Sequence, residues 1–217
     1  MNDNHAFKAV IFDIDGTLTP DVSWTALTRD LGGSVEKHLE LYRGHRDGTI
    51  AYEISKGELL KLWQATGNAN KDFFEKLFMS WPFREGAEEL VDYLKSKGYL
   101  ICLITGAVDL YAEVVAKRLG VAYFIPNARF VWDESGKLID FDYDVKQGEK
   151  KLEQFLEFCR EQNLNPSDCA VVGDGYNDVK LFSLTGNGIM VRSEGAHHLE
   201  NIAWKKVEDL KEIMNFL

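Results

Sequence analysis

The chain has 217 residues, 45% of them apolar and 28% charged, and a formal net charge of −10. That length suits one hydrophobic core with a small accessory domain, and no segment approaches the roughly 20 apolar residues of a membrane-spanning helix. The acidic balance argues against a nucleic-acid backbone or an anionic membrane as partner.

The start, Met1-Asn2-Asp3-Asn4-His5, is polar and lacks signal or transit character. Residues 7–12 then form an apolar run that predicts a buried strand, ending in Asp13-Ile14-Asp15-Gly16-Thr17. From 19 to 80 the pattern becomes helical. Trp24, Leu27 and Leu31 share one stripe, Val35, Leu39 and Tyr42 a second, Ile50, Leu59, Leu60 and Trp63 a third, and Phe73, Phe74, Leu77 and Phe78 a fourth. Core packing is the default explanation for such stripes, although Trp24 and Tyr42 also suit the entrance of a site. Pro82 marks the return to the main domain, followed by a helix with Ala87, Leu90, Val91 and Leu94 inward.

A second strand, Tyr99–Ile104, leads to Thr105-Gly106-Ala107 and a helix bearing Tyr111, Val114, Val115 and Leu119, closed by Gly120. Residues 128–143 predict a hairpin, turned at Asp133-Glu134-Ser135-Gly136. Lys146, Lys150 and Lys151 open a helix whose apolar stripe is read as Leu152, Phe155, Leu156 and Cys159. A third strand ends in Gly173-Asp174-Gly175-Tyr176-Asn177-Asp178, a fourth spans Gly188–Val191, and an amphipathic closing helix is expected over 203–217. Cys102, Cys159 and Cys169 lie in or beside apolar runs and read as buried thiols of a reducing compartment, so a cytoplasmic chain is expected.

Strands alternating with helices predict an α/β fold with βαβ units. In such sheets ligands bind just outside the carboxyl ends of the strands. The two acidic strand ends, roughly 160 residues apart, would aim Asp13, Asp15, Asp174 and Asp178 at one crevice. So many carboxylates repel one another unless a cation lies among them. Asp and Gly also suit turns for backbone reasons alone, so either segment by itself is weak. Neither is an EF-hand loop, because the twelfth residue from Asp13 is Trp24 and from Asp174 is Thr185, where a Glu is needed. Thr105 and the free backbone N–H groups beyond it add an anion site.

Together these segments resemble the haloacid dehalogenase superfamily of aspartyl-phosphate enzymes. The match is to Asp13-Ile14-Asp15-Gly16-Thr17 (D-x-D-G-T), Thr105 after a hydrophobic strand, a lysine near 150, and Gly173–Asp178 (G-D-G-x-N-D), in order across roughly residues 8–192. Within it the chain looks most like the phosphoserine-phosphatase-like branch. The resemblance implies a Rossmann-like core with a mostly parallel sheet, formed by 1–18 and 81–217, and a small helical cap, 19–80, inserted after the first motif.

It further implies Asp13 as nucleophile, Asp15 as general acid and base, and Mg²⁺ held by Asp13, Asp174 and the Asp15 carbonyl, with Asp178 in support. Thr105 and a lysine would hold phosphate oxygens, Thr17 and Gly106 completing the cradle. Lys150 and Lys151 point about 100° apart on a helix, so only one can face the site; Lys150 is narrowly preferred. Cap arginines, Arg46 and less firmly Arg43, put on a loop by the Gly44 and Gly48 breaks, would recognise a substrate carboxylate. The expected partner is a small phosphorylated metabolite, and the expected reaction is hydrolysis. A phosphotransferase or mutase would use the same chemistry, whereas a non-catalytic binding module would have lost Asp13, Asp15 or Asp174. Nothing in the sequence sets the substrate or the oligomeric state.

Overall fold

The computed structural model describes residues 7–193 and 195–217; the polar start, Met1–His5, lies outside them. Seven strands form one sheet in the order β4-β3-β2-β1-β5-β6-β7. They are β1 (Ala9–Phe12), β2 (Leu100–Val108), β3 (Tyr123–Trp132), β4 (Leu138–Tyr143), β5 (Cys169–Gly173), β6 (Gly188–Val191) and β7 (Lys205–Val207). All pairings are parallel except β3 with β4. The chain builds outward from β1 to one side, then returns to its other side with β5, so β1 and β5 flank a switch point where crevices form.

The strands sort their side chains with period two. Val10 and Phe12, Ile101 and Leu103, and Ala170 and Val172 enter one apolar cluster. Ala9 and Ile11, Cys102 and Ile104, and Cys169 and Val171 enter another on the opposite face. Helices α5 (Ala87–Ser96) and α6 (Asp109–Leu119) cover the first face, while α7 (Gln147–Glu161) and α8 (Val179–Thr185) cover the second. All three cysteines are buried and free.

Between β1 and α5 lie α1 (Ser23–Asp30), α2 (Val35–Arg46), α3 (Tyr52–Gln64) and α4 (Lys71–Ser80). Ser34 and Asn70 cap α2 and α4 by accepting from Lys37 N and Phe73 N. These helices do not pack alone. The hairpin β3–β4 supplies Phe130, Leu138 and Phe141 to their core, and the fully buried Trp63 sits 5.7 Å from Phe141 and 6.0 Å from Trp24. Main-chain bonds from Leu138 to Ala69 and from Lys71 to Gly136 fasten the hairpin to the helices.

Three local expectations are corrected. Gly44 does not break α2, which runs on to Arg46. Its missing Cβ is where the Ile50 side chain packs. The segment 203–217 is not an α-helix: it adds edge strand β7 and then a 3₁₀ segment, Leu210–Asn215. The buried residues of the 3₁₀ segment, Leu210 and Ile213, lie three positions apart, as its repeat requires. Finally, Leu39 and Tyr42 are exposed, and α2 buries His38 and Leu41 instead.

Candidate active site

Asp13 follows β1 directly and Asp174 follows β5, and the two strands are paired at Phe12 and Val172. The motif glycines make the approach possible. A Cβ on Gly16, which also has φ +73°, would overlap the Asp174 carboxylate, and one on Gly173 would overlap that of Asp178. Asp13, Asp174 and Asp178 thereby offer oxygens all within 4.8 Å of one another.

One cation lies inside this group. Lys151 is 3% exposed, and its Nζ is 2.9 Å from Asp13 Oδ2 and 2.6 Å from Asp178 Oδ1. Burial alone would lower its pKa, but Asp13 and Asp178 raise it above the usual lysine value. Lys150, the residue narrowly preferred from the sequence, instead reaches Glu153 at the surface, 3.0 Å away. The inward face of α7 is Gly148, Lys151, Gln154, Phe155, Phe158 and Cys159. Leu156, which pulled the expected stripe toward Lys150, is exposed.

Asp178 is fully engaged. Besides Lys151, its Oδ2 accepts from Asp174 N and Gly175 N, both at 3.2 Å. Burial raises its pKa against the pull of Lys151. Its oxygens therefore orient Lys151 and the Asp174 backbone. Asp174 accepts from the Thr17 hydroxyl at 3.1 Å, and burial followed by the Asp13 charge raises its pKa. Asp13 Oδ1 accepts from Ile14 N at 2.7 Å.

Asp15 differs from its neighbours. Its Oδ2 accepts from the Ser23 hydroxyl at 2.7 Å, while its Oδ1 is buried without a partner. Burial pushes its pKa to about 7, opposed by Ser23 and reinforced by Asp13 and Asp174. Ser23 was not anticipated, and no motif spacing singles it out.

One buried ammonium against four carboxylates leaves excess negative charge, and the donors are all hard oxygens. That set fits a hard divalent cation, with Asp13 and Asp174 as the side chains best placed to hold it. Thr105 is buried within the neighbouring β2, where the register against β3 begins to shift, its hydroxyl accepting from Ala107 N at 3.1 Å. Gly106 lines the crevice, and its carbonyl accepts from Trp24 Nε1 at 3.1 Å.

Above the strand ends opens a cavity of about 520 Å³. Asp13, Asp15 and Asp174 form its floor, and Trp24, His38, Tyr42, Phe141 and Tyr143 are among its walls. Arg43 and Arg46 do not line it. Arg46 pairs with Asp47 at 3.0 Å on the exposed side of α2. The hairpin's contribution, Phe141 and Tyr143, was invisible to a reading that confined specificity to 19–80.

The chain belongs to the haloacid dehalogenase-like hydrolases, whose family model matches residues 7–183. The phosphoserine phosphatase of Methanocaldococcus jannaschii is 26% identical over 212 residues, covering 97% of either chain. That of Streptococcus thermophilus is 25% identical over 213 residues, covering 94% of this chain and 96% of its own. A solved substrate-bound phosphoserine phosphatase shares the fold at TM-score 0.76 and 25% identity, covering 97% of this chain and 98% of its own. A haloacid dehalogenase family hydrolase of Salmonella enterica reaches TM-score 0.80 at 16% identity, covering 97% and 72%, a likeness of fold alone.

Proposed function

We propose that this hydrolase is a Mg²⁺-dependent phosphatase that cleaves a small phosphomonoester through an aspartyl-phosphate on Asp13. Its curated relatives, aligned over nearly their whole length, are phosphatases. The observation that carries the reading is the pairing of Asp13 with buried Lys151, beside an Asp15 oriented by Ser23, at one strand end.

An Asp13 oxygen attacks phosphorus, forming one P–O bond as the bond to the leaving oxygen breaks. Asp15 gives that oxygen its proton, a role suited to a carboxyl that burial keeps partly protonated near neutrality. Asp15 then takes a proton from the water that attacks phosphorus and frees Asp13. Lys151 offsets charge on the phosphate oxygens, with Thr105 and the Gly106 backbone beside it. Asp178 positions Lys151, and Thr17 positions Asp174. Asp13, Asp174 and the Asp15 carbonyl would hold Mg²⁺, which would supply the charge neutralisation that phosphoryl transfer chiefly requires. Residues 19–80 serve as the cap over the strand ends and exclude water from them. No helix among the described residues is long and apolar enough to cross a membrane, and the three buried free thiols suit a reducing cytoplasm.

The test is phosphate release from a panel of phosphorylated metabolites. Excess chelator is expected to stop it and Mg²⁺ to restore it. Undiminished release in chelator would remove the metal from the scheme.

A further inference from the structure

The cavity above the strand ends is chemically one-sided. Among the described residues that line it, the carboxylates are Asp13, Asp15 and Asp174, all on the floor. An ammonium group carried on the far side of a substrate's leaving group would meet no acidic partner there. The cationic side chain of the walls is Lys56, and it is already committed. Its Nζ lies 2.9 Å from Asp140 Oδ1 and 5.5 Å from the centre of the Phe141 ring. A substrate carboxylate would have to share it with Asp140. His45, also in the wall, packs against Tyr52 at 5.1 Å.

What the walls do offer is rings. Trp24 lies 5.4 Å from both Phe141 and Tyr143 in edge-to-face geometry, and such surfaces accept a further ring. The apolar lining continues outward to the rim. Val22, Leu39, Tyr42 and Tyr176 are among the large apolar side chains that the fold leaves exposed, and all four border the cavity. A volume of about 520 Å³ lies within the roughly 300–1,000 Å³ of sites for drug-sized ligands.

We infer that the preferred substrate is a phosphomonoester whose organic part is uncharged and ring-bearing, and not a phosphorylated amino acid. The inference rests on the phosphatase reading above. It makes this chain differ in substrate from the phosphoserine phosphatases that it resembles, with the aromatic wall as the reason.

The experiment compares kcat/KM of the full chain with Mg²⁺ on phenethyl phosphate and on L-phosphoserine. Both release an alcohol rather than a phenol, so the comparison reads the cavity and not an activated leaving group. Phenethyl phosphate is expected to be favoured by at least about tenfold, the scale of burying one ring. Tyr42→Ala, at an exposed site where folding is safe, is expected to raise KM for phenethyl phosphate about fivefold with kcat within about twofold. Equal or greater efficiency on phosphoserine, or an unmoved KM in the variant, overturns the inference while leaving the phosphatase intact. No release from either compound or from p-nitrophenyl phosphate would instead bring down the phosphatase reading, and this inference with it.

Discussion

The floor and the walls of the cavity are built on opposite principles. The floor is a knot of buried charge in which each group is fixed by another: Lys151 by two carboxylates, Asp178 by two backbone N–H groups, Asp15 by Ser23. The walls are aromatic and aliphatic, backed by a buried layer in which polar groups pair with one another. Trp63 Nε1 donates to Thr28 Oγ1 at 2.7 Å, and His38 Nδ1 lies 2.7 Å from the same hydroxyl. A buried charge network requires particular residues at particular positions, whereas an apolar wall requires only shape and volume. The floor should therefore fail abruptly when one group is changed, and the walls by degrees.

The largest expected effect is on the floor. Asp13→Asn keeps the size of the side chain and removes the proposed nucleophile, so phosphate release is expected to fall on the order of 10⁴-fold or more. Near-native turnover in a variant of unchanged circular dichroism would assign the nucleophile elsewhere.

Next come the adjacent lysines, which separate a buried charge from an exposed one. Lys151→Ala leaves Asp13 and Asp178 facing each other in the interior. The loss of stability is expected at about 3–5 kcal/mol, read by urea denaturation, together with loss of activity. Lys150→Ala breaks only an exposed pair with Glu153 and is expected to cost less than about 1 kcal/mol. Comparable losses in the two variants would erase the distinction.

The same pair shows how far the sequence could be read. Strands ending in carboxylates were legible because buried strands are continuous apolar runs and because Gly16 and Gly173 must lack a Cβ for those carboxylates to meet. The parallel sheet and the hairpin over 128–143 followed from the same run-and-turn pattern. Choosing between Lys150 and Lys151 required knowing which edge of α7 faces β1, and Leu156, an exposed leucine, misled the choice. Phe141 and Tyr143 were out of reach for a different reason: they arrive from a hairpin far along the chain, and sequence spacing carries no information about that contact. The Gly44 break failed because a glycine marks a close approach, here by Ile50, as readily as it ends a helix.

In the walls, His38 gives an intermediate effect with a definite sign. Burial lowers its pKa from 6.5 to about 4, so the folded state binds its proton less readily than the unfolded chain. The stability this neutral ring contributes is complete above about pH 6.5 and is lost as pH falls toward 4. By pH 4 the loss amounts to about 3 kcal/mol. His38→Asn keeps an acceptor near Thr28 but does not titrate in this range. The stability difference between wild type and variant should thus shift by that amount between pH 7 and pH 4. A constant difference would show that folding leaves the ring's pKa at its unfolded value.

The smallest effect is expected at Arg46, and it bears on how the walls choose a substrate. An arginine is the natural partner for a substrate carboxylate, because its planar fork matches one in bidentate fashion. Arg46, however, is exposed, pairs with Asp47 beside it in the chain, and sits 6.0 Å from the centre of the Tyr42 ring. It does not line the cavity. Because α2 continues through Gly44 to Arg46, no loop carries the guanidinium over the crevice. Arg46→Ala should therefore leave KM within about twofold, whether the substrate bears a carboxylate or not, as for most surface substitutions. A KM that rose severalfold for L-phosphoserine but not for phenethyl phosphate would mean that α2 swings Arg46 inward when substrate binds. The walls would then hold a charge after all, and their contrast with the floor would break at that residue.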